Sequence, residues 1–380
     1  MINFELGDEQ KALRDLTRRF AQEEILPVAA ECDQKGEFPL DVAQKAFDIG
    51  LMNVTVPEEY GGGGLGHLDE CIVREEMAAG CAGISATLGI SGLAVTPVIL
   101  AGTEEQKQRF LAPLCAELSF ASYCVTEPSA GSDVAGITST AELVGDEYVL
   151  NGTKRFITGG GLASWFVVLT YTDKSLRRNG ISAFVVPADA PGVTVAKKED
   201  MMGQRASNTA EIVFENVRVP KANRLGREGQ GFKLAMETFD ITRPYAAAGA
   251  IGLARSAMEH ASRYAQERFA FGRPIGQFQA IQFMLANMAI DIAAARWLTW
   301  HAAWLSDRDL PNAMEASYAK ALAADMCMRV TTDAVQVFGG YGYSREYPVE
   351  KLMRDAKVMQ IYEGTSEIQR LIIGRQLLKK

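Results

Sequence analysis

Glu363 lies in the run IYEGTSEIQR (361–370), directly before Gly364 and just upstream of a helix start. A carboxylate held rigidly in such a turn, away from water, can act as a general base toward a weakly acidic carbon. A Glu before a Gly is also an ordinary solvated turn residue. A second segment, YCVTEPSAGSD (123–133), places hydroxyls and glycines just past a β-rich run, a pattern that serves equally for turns and for holding a ligand. Asp240 and Arg243, three residues apart, share one helix face as a polar pair. As a surface ion pair they would contribute little to stability. Glycines at 339, 340 and 342 would let backbone approach a ligand closely.

Composition narrows the chemistry. The chain has 380 residues, enough for two or three domains, with 48% hydrophobic and 23% charged residues. A net charge of −8 argues against a nucleic-acid binder, which needs a basic footprint. Cys32, Cys71, Cys81, Cys115, Cys124 and Cys327 show no CxxC spacing, as expected of free thiols in a reducing compartment. His67, His260 and His301 form no metal-binding pair. The acidic start MINFELGDEQ lacks a signal-peptide core, and no apolar run reaches the length of a membrane span. The expectation is a cytoplasmic protein, or one of an organellar matrix after removal of a transit peptide.

Three blocks must position these residues. Residues 1–118 read as helical, with Asp8 as an N-cap, Leu13, Leu16 and Phe20 on one stripe, and Pro27 ending or kinking the helix. Leu40–Leu51 repeats the helical period. Gly61–Gly64 reads as a flexible turn without the Gly-Lys-Ser/Thr of a phosphate loop. Residues 119–222 carry short β-rich runs at Phe120–Thr126, Glu147–Leu150, Trp165–Thr172, Ile181–Val186 and Ala210–Phe214. Asn151-Gly152 between apolar runs signals a hairpin. Ala210, Ile212 and Phe214 alternate toward one core. This block is expected to be a small antiparallel β domain, with no Rossmann fingerprint. Residues 223–380 return to helical periods, with Pro244 expected to kink the first helix and Ser366 with Gln369 matching a capping box. The fold class is α+β: helical, then antiparallel β, then helical, with long helices fit to pair into a bundle.

The chain resembles the acyl-CoA dehydrogenases along its length. The resemblance rests on YCVTEPSAGSD (123–133), NGTKRFITGG (151–160), MMGQRASNT (201–209), FDITRPYAAAGAIGLA (239–254), ERFAFGRPIGQFQAIQ (267–282), QVFGGYGY (336–343) and YPVEKLMRDAKVMQIYEGTSEIQR (347–370), in that order. It implies an N-terminal helical domain, a middle β domain and a C-terminal four-helix bundle, with FAD as cofactor, an acyl-CoA substrate, an electron-transfer flavoprotein as partner and a homotetramer.

The resemblance also assigns residues. Glu363 is the base that takes the α-proton. The backbone N–H of Glu363 and a flavin hydroxyl then face the thioester oxygen. The flavin is held by Tyr123, Val125, Thr126, Gly131, Ser132 and Thr158, with Phe156 at a ring-stacking position that is often Trp. Arg268, Phe271 and Gln279 match contacts to the adenosine diphosphate half from a neighbouring subunit, and Gln336 and Gly340 match a further adenosine contact. Thr365 and Glu367 match cofactor-binding positions that flank the last helix start, a natural place for a phosphate, with Glu367 facing a ribose hydroxyl or solvent. Substrate contacts fall to Ser132, Asp240, Thr242, Arg243, Tyr362 and Gly364. Some relatives place the base on the helix of Thr242; a base at 363 is the arrangement of short- and medium-chain enzymes.

Burial should raise the Glu363 pKa and the nearby helix N-terminus should lower it, with burial dominant once substrate excludes water. The acyl pocket wall should include Ser85–Gly92, whose small residues permit a deep pocket unless neighbouring side chains close it. The alternatives are an acyl-CoA oxidase that reduces O₂ and a non-catalytic flavin- and acyl-CoA-binding partner protein.

Overall fold

The computed structural model describes residues 5–379. The first helices are α1 (Asp8–Phe20), α2 (Ala29–Lys35) and α3 (Leu40–Asp48). Pro27 interrupts the regular α geometry between α1 and α2, where a π turn and a 3₁₀ turn carry the chain over. The cap of α1 is Gly7 rather than Asp8; the Gln10 side chain accepts from the Gly7 N–H at 3.2 Å. Then come α4 (His67–Gly80), α5 (Ala82–Leu88), α6 (Ser91–Ala101) and α7 (Glu104–Ala116).

The run Ala82–Ala101 is long and apolar enough to cross a membrane by length and composition, which the sequence reading passes over. The chain breaks it at Gly89-Ile90 into α5 and α6, and 56% of it is buried inside the protein. It is therefore a pair of core helices.

The middle block is one sheet of β1 (Phe120–Cys124), β2 (Thr140–Val144), β3 (Glu147–Thr158), β4 (Ala163–Tyr171), β5 (Ile181–Pro187), β6 (Val193–Lys198), β7 (Thr209–Pro220) and β8 (Arg224–Leu225). Its order is β6-β7-β3-β2-β4-β5-β8, with β1 on β4. Most neighbours are antiparallel, but β1 runs parallel to β4, so the expected antiparallel domain is a mixed sheet. Strand β4 is buried on both faces. Trp165, Val167 and Leu169 meet α6 and α7, while Phe166 and Val168 meet Ile212 and Phe214. That double burial explains its unbroken apolar run. Ala210, Ile212 and Phe214 share one core, as their alternation predicts.

Asn151-Gly152 is not a hairpin turn. It lies inside β3 at a register shift, where a Cβ on Gly152 would come within 2.0 Å of the Ser139 hydroxyl. The turn is Gly145-Asp146, with Gly145 at φ +66° joining β2 to β3.

The last block holds α8 (Gly231–Glu267), a short ribbon of β9 (Phe269–Ala270) and β10 (Arg273–Pro274), α9 (Gln279–Ser306), α10 (Ala313–Phe338), α11 (Val349–Lys357) and α12 (Ser366–Leu377). Helices α8, α9 and α10 pack on one another, and α12 lies on α10. Their shared core is rich in alanine, including Ala254, Ala257, Ala295, Ala319 and Ala323, which lets the helix axes approach. At the α4–α8 crossing a Cβ on Gly252 would lie 2.0 Å from the Glu75 carbonyl, so only glycine fits.

Pro244 does not break α8. The Asp240 carbonyl, which loses its helical donor to Pro244, accepts from Asn312 Nδ2 at 3.0 Å. The cap of α12 is Thr365 rather than Ser366: its hydroxyl accepts from the Ile368 N–H at 3.2 Å, and Ser366 donates to Asp325 at 2.8 Å.

Candidate active site

The Glu363 turn carries two successive left-handed residues, Glu363 at φ +55° and Gly364 at φ +84°. A non-glycine residue in that region costs on the order of 1–3 kcal/mol, so its surroundings must impose it. They do so from two helices. Gln369 Nε2 on α12 donates to the carbonyls of Glu363 at 3.1 Å and Gly364 at 3.0 Å. Lys320 Nζ on α10 donates to the Gly364 carbonyl. The turn is thereby fixed before any ligand arrives.

Its carboxylate is shielded from solvent. Glu363 is half-buried as a residue, yet its Oε2 is hidden and, among the described residues, has no hydrogen-bond partner. The hydroxyls of Tyr123 on β1 and Thr242 on α8 are in the same condition. Burial raises the Glu363 pKa above the usual carboxylate value, with Lys320, Arg243 and Arg74 opposing it in part. The expected direction holds, and the opposing charges are these three cations. Burial in turn pushes Lys320 down to about 8, with Glu363 and Asp325 opposing the shift.

Tyr362, beside the base, donates to the Met359 sulfur at 2.8 Å and accepts from Gln204 at 3.4 Å. Arg243 is buried, pairs with Asp240 and has its Nε without a partner, so it is no surface ion pair. Burial raises Asp240, and Arg243 opposes the rise.

The β-sheet side of the site is built on a second buried pair. Lys154 on β3 meets Glu127 at 2.8 Å, with side chains 0% and 1% exposed. Glu127 also accepts from the N–H groups of Thr138 and Ser139 at 2.6 and 3.0 Å. Burial opposes its ionisation, but Lys154 and the donors outweigh that and hold the carboxyl at about 2. This pair pins the loop carrying Gly131 and Ser132. Tyr123 and Val125 are buried at its base, Thr126 and Thr158 are half-buried, and Gly131 and Ser132 are exposed. Phe156, at φ +59°, is 50% exposed, with the Arg155 guanidinium 5.1 Å from its ring.

The remaining residues stand elsewhere. Arg268, just past α8, lines a cavity of about 450 Å³ with Tyr264, Phe338, Gly340 and Tyr341. Phe271 is 95% exposed, and Gln279 and Gln336 are exposed too. Arg268 lies 25 residues beyond Arg243, about 38 Å at the α-helical rise. The chain therefore holds Arg268 and its cavity apart from its own Glu363. Thr365 and Glu367 stay with Glu363, at the start of α12.

An extended, ring-bearing cofactor fits what is present. A Cβ on Gly131, Gly339 or Gly340 would meet nothing within 4 Å, an aromatic face is open at Phe156, and the Tyr123 and Thr242 hydroxyls await partners. The sequence reading missed Lys320, Gln369, Gln204, Arg74 and the Glu127–Lys154 pair. The one signal for Lys320 is a charged residue amid the alanines of Tyr318-Ala-Lys-Ala-Leu-Ala-Ala.

Comparison with known proteins now decides the family. The acyl-CoA dehydrogenase N-terminal, middle and C-terminal domain models match residues 7–117, 122–217 and 229–378. The chain belongs to the acyl-CoA dehydrogenase family. It is 46% identical to a probable medium-chain specific acyl-CoA dehydrogenase of Caenorhabditis briggsae, over 99% of this chain and 92% of that protein. Butyryl-CoA dehydrogenase of Megasphaera elsdenii superposes with a TM-score of 0.97 at 42% identity, covering 100% of both chains. A chain from work on the electron transferring flavoprotein of Acidaminococcus fermentans superposes with a TM-score of 0.98 at 45% identity, again over 100% of both. As an acyl-CoA dehydrogenase, the protein is an FAD-dependent oxidoreductase.

Proposed function

We infer that the protein converts an acyl-CoA thioester to a trans-2-enoyl-CoA, with Glu363 taking the α-proton. The observation that carries this reading is the Glu363 carboxylate: buried, unpartnered at Oε2, raised in pKa, and fixed by Gln369 and Lys320. A carboxylate whose pKa is raised is a stronger base than an exposed one. Proton loss from Cα leaves negative charge on the thioester oxygen, and the Glu363 backbone N–H is the chain's donor for it. FAD, when bound, supplies the acceptor for the hydride that leaves Cβ.

Tyr123, Val125, Thr126, Gly131, Ser132, Phe156 and Thr158 would hold the flavin half. Asp240, Thr242, Arg243, Tyr362 and Gly364 would hold the thioester, with Ser132 shared. Arg268, Phe271 and Gln279 would reach the adenosine half from a second copy of the chain, with Gln336 and Gly340 as a further adenosine contact and Thr365 and Glu367 at the FAD phosphate and ribose.

The distance along α8 supports that split, and so does a heptad stripe of exposed Phe283, Ile290, Trp297 and Trp304 on α9, fit to meet another copy. A homotetramer is the assembly we assign, with units at 1–118, 119–222 and 223–380. An electron-transfer flavoprotein is the acceptor we assign, supported by the Acidaminococcus fermentans match. The reaction is of the β-oxidation type, and the bacterial relatives support a cytoplasmic setting.

Anaerobic titration with acyl-CoAs, read by bleaching of the flavin, tests this. Glu363→Gln should keep bound FAD and thioester yet lose bleaching by on the order of 10²–10⁴-fold or more. Near-normal bleaching in that variant would remove Glu363 from the mechanism.

A further inference from the structure

The Ser85–Gly92 wall is closed by a side chain from another helix. Arg74 on α4 lies across it, donating to the Ser85 carbonyl at 3.3 Å and to the Gly89 carbonyl. A Cβ on Gly89 would fall 1.6 Å from the Arg74 guanidinium carbon, and one on Gly92 would lie 3.3 Å from its Nη2. The room left by these glycines is thus filled by arginine. Nε donates to Glu70 Oε1 at 2.5 Å, and the two side chains are only 11% and 8% exposed. A void that Arg74 lines together with Leu51, Asn53, Met77, Leu88 and Gly92 is about 10 Å³. That is at the lower edge of what holds one water and far below what an alkyl chain requires.

The same guanidinium is close enough to the base for its charge to act on Glu363 and Tyr362. It therefore lies within electrostatic reach of the base, on the wall whose Ser85 and Gly89 carbonyls it holds.

We propose that the Glu70–Arg74 pair ends the acyl channel and makes this protein specific for short acyl thioesters such as butyryl-CoA. This rests on the dehydrogenase reading above. A longer alkyl chain would have to displace a buried guanidinium from a carboxylate and two carbonyls, each then left without its partner. A carboxylate-bearing acyl group is not favoured as the occupant, because Glu70 already neutralises Arg74. The relatives named for medium-chain and for butyryl substrates bracket this choice, and Arg74 is the residue that decides it here.

The test compares wild type, Arg74→Ala and Glu70→Ala/Arg74→Ala with butyryl-, hexanoyl-, octanoyl- and glutaryl-CoA. The double variant guards against misfolding caused by an unpaired buried Glu70. Flavin bleaching gives kcat/KM, and calorimetric binding of the same thioesters reads the channel without turnover. The octanoyl-to-butyryl ratio should rise at least about tenfold in either folded variant, since each methylene admitted to a fitting pocket is worth about tenfold or more.

An unchanged ratio in both variants, by both readouts, would overturn the proposal. So would a wild-type preference for glutaryl-CoA that disappears with Arg74, because Arg74 would then be a ligand for carboxylate. Failure of every thioester to bleach the wild-type flavin would instead sink the dehydrogenase reading, while the calorimetric length profile would still judge the channel.

Discussion

At the scale of single residues, Glu363 has a stability cost that its chemistry explains. Its raised pKa means the fold favours the protonated carboxyl. That preference is fully present below the ordinary value of 4.5 and is lost as pH rises through the raised one. Glu363→Gln should therefore melt above wild type at neutral pH, with the margin closing as pH falls below 4.5; thermal melts at several pH values check this.

Lys320 is the largest of the charges opposing that rise. Lys320→Met should move the acid limb of the bleaching rate to higher pH, and a pH profile of the reductive half-reaction would show it. Gln369 still holds the Gly364 carbonyl in that variant, so the turn keeps its shape.

Glu127 has the opposite sign. Its carboxyl is held at about 2 from an ordinary 4.5, so the pair's contribution is present above 4.5 and lost as pH falls toward 2. Glu127→Gln leaves Lys154 buried without its carboxylate partner, and denaturant unfolding should show a loss of about 3–5 kcal/mol.

At the scale of elements, α8 shows how a sequence rule can hold locally and be answered from elsewhere. Pro244 does remove a helical donor, as any proline must. The bare Asp240 carbonyl is capped by Asn312, from the loop before α10, so the helix runs on and keeps Asp240, Thr242 and Arg243 on one continuous element. Asn312→Ala should cost about 1–3 kcal/mol in urea unfolding, the usual penalty for a buried acceptor left alone.

The same reasoning explains the strands that the sequence hid. β2 and β6 expose most of their residues, so they carry no apolar alternation to read. β4 buries most of its residues and β7 those of its first half, 209–214, and those stretches are legible. Asn151-Gly152 has the composition of a hairpin turn, yet its glycine serves a close approach to Ser139 within β3.

At the scale of the whole molecule, one chain separates the base at Glu363 from the Arg268 cavity by most of the length of α8. If one FAD spans two copies, Glu363→Gln and Arg268→Ala are defects of different halves of a site. Co-expressing the two variants should restore flavin bleaching in mixed oligomers above that of either variant alone. No restoration would place Arg268 outside the flavin site or confine its action to its own chain.

The sequence by itself determined the order of the three blocks, the helix carrying Asp240 and Arg243, and the turn with Glu363, because motifs and apolar periods are local properties of the chain. Tertiary structure decided what those residues experience. The partners of the Glu363 turn, Lys320 and Gln369, come from α10 and α12, and the guanidinium that closes the acyl wall comes from α4. Burial, pKa and pocket depth depend on atoms brought together across the fold, and spacing along the chain carries no record of them.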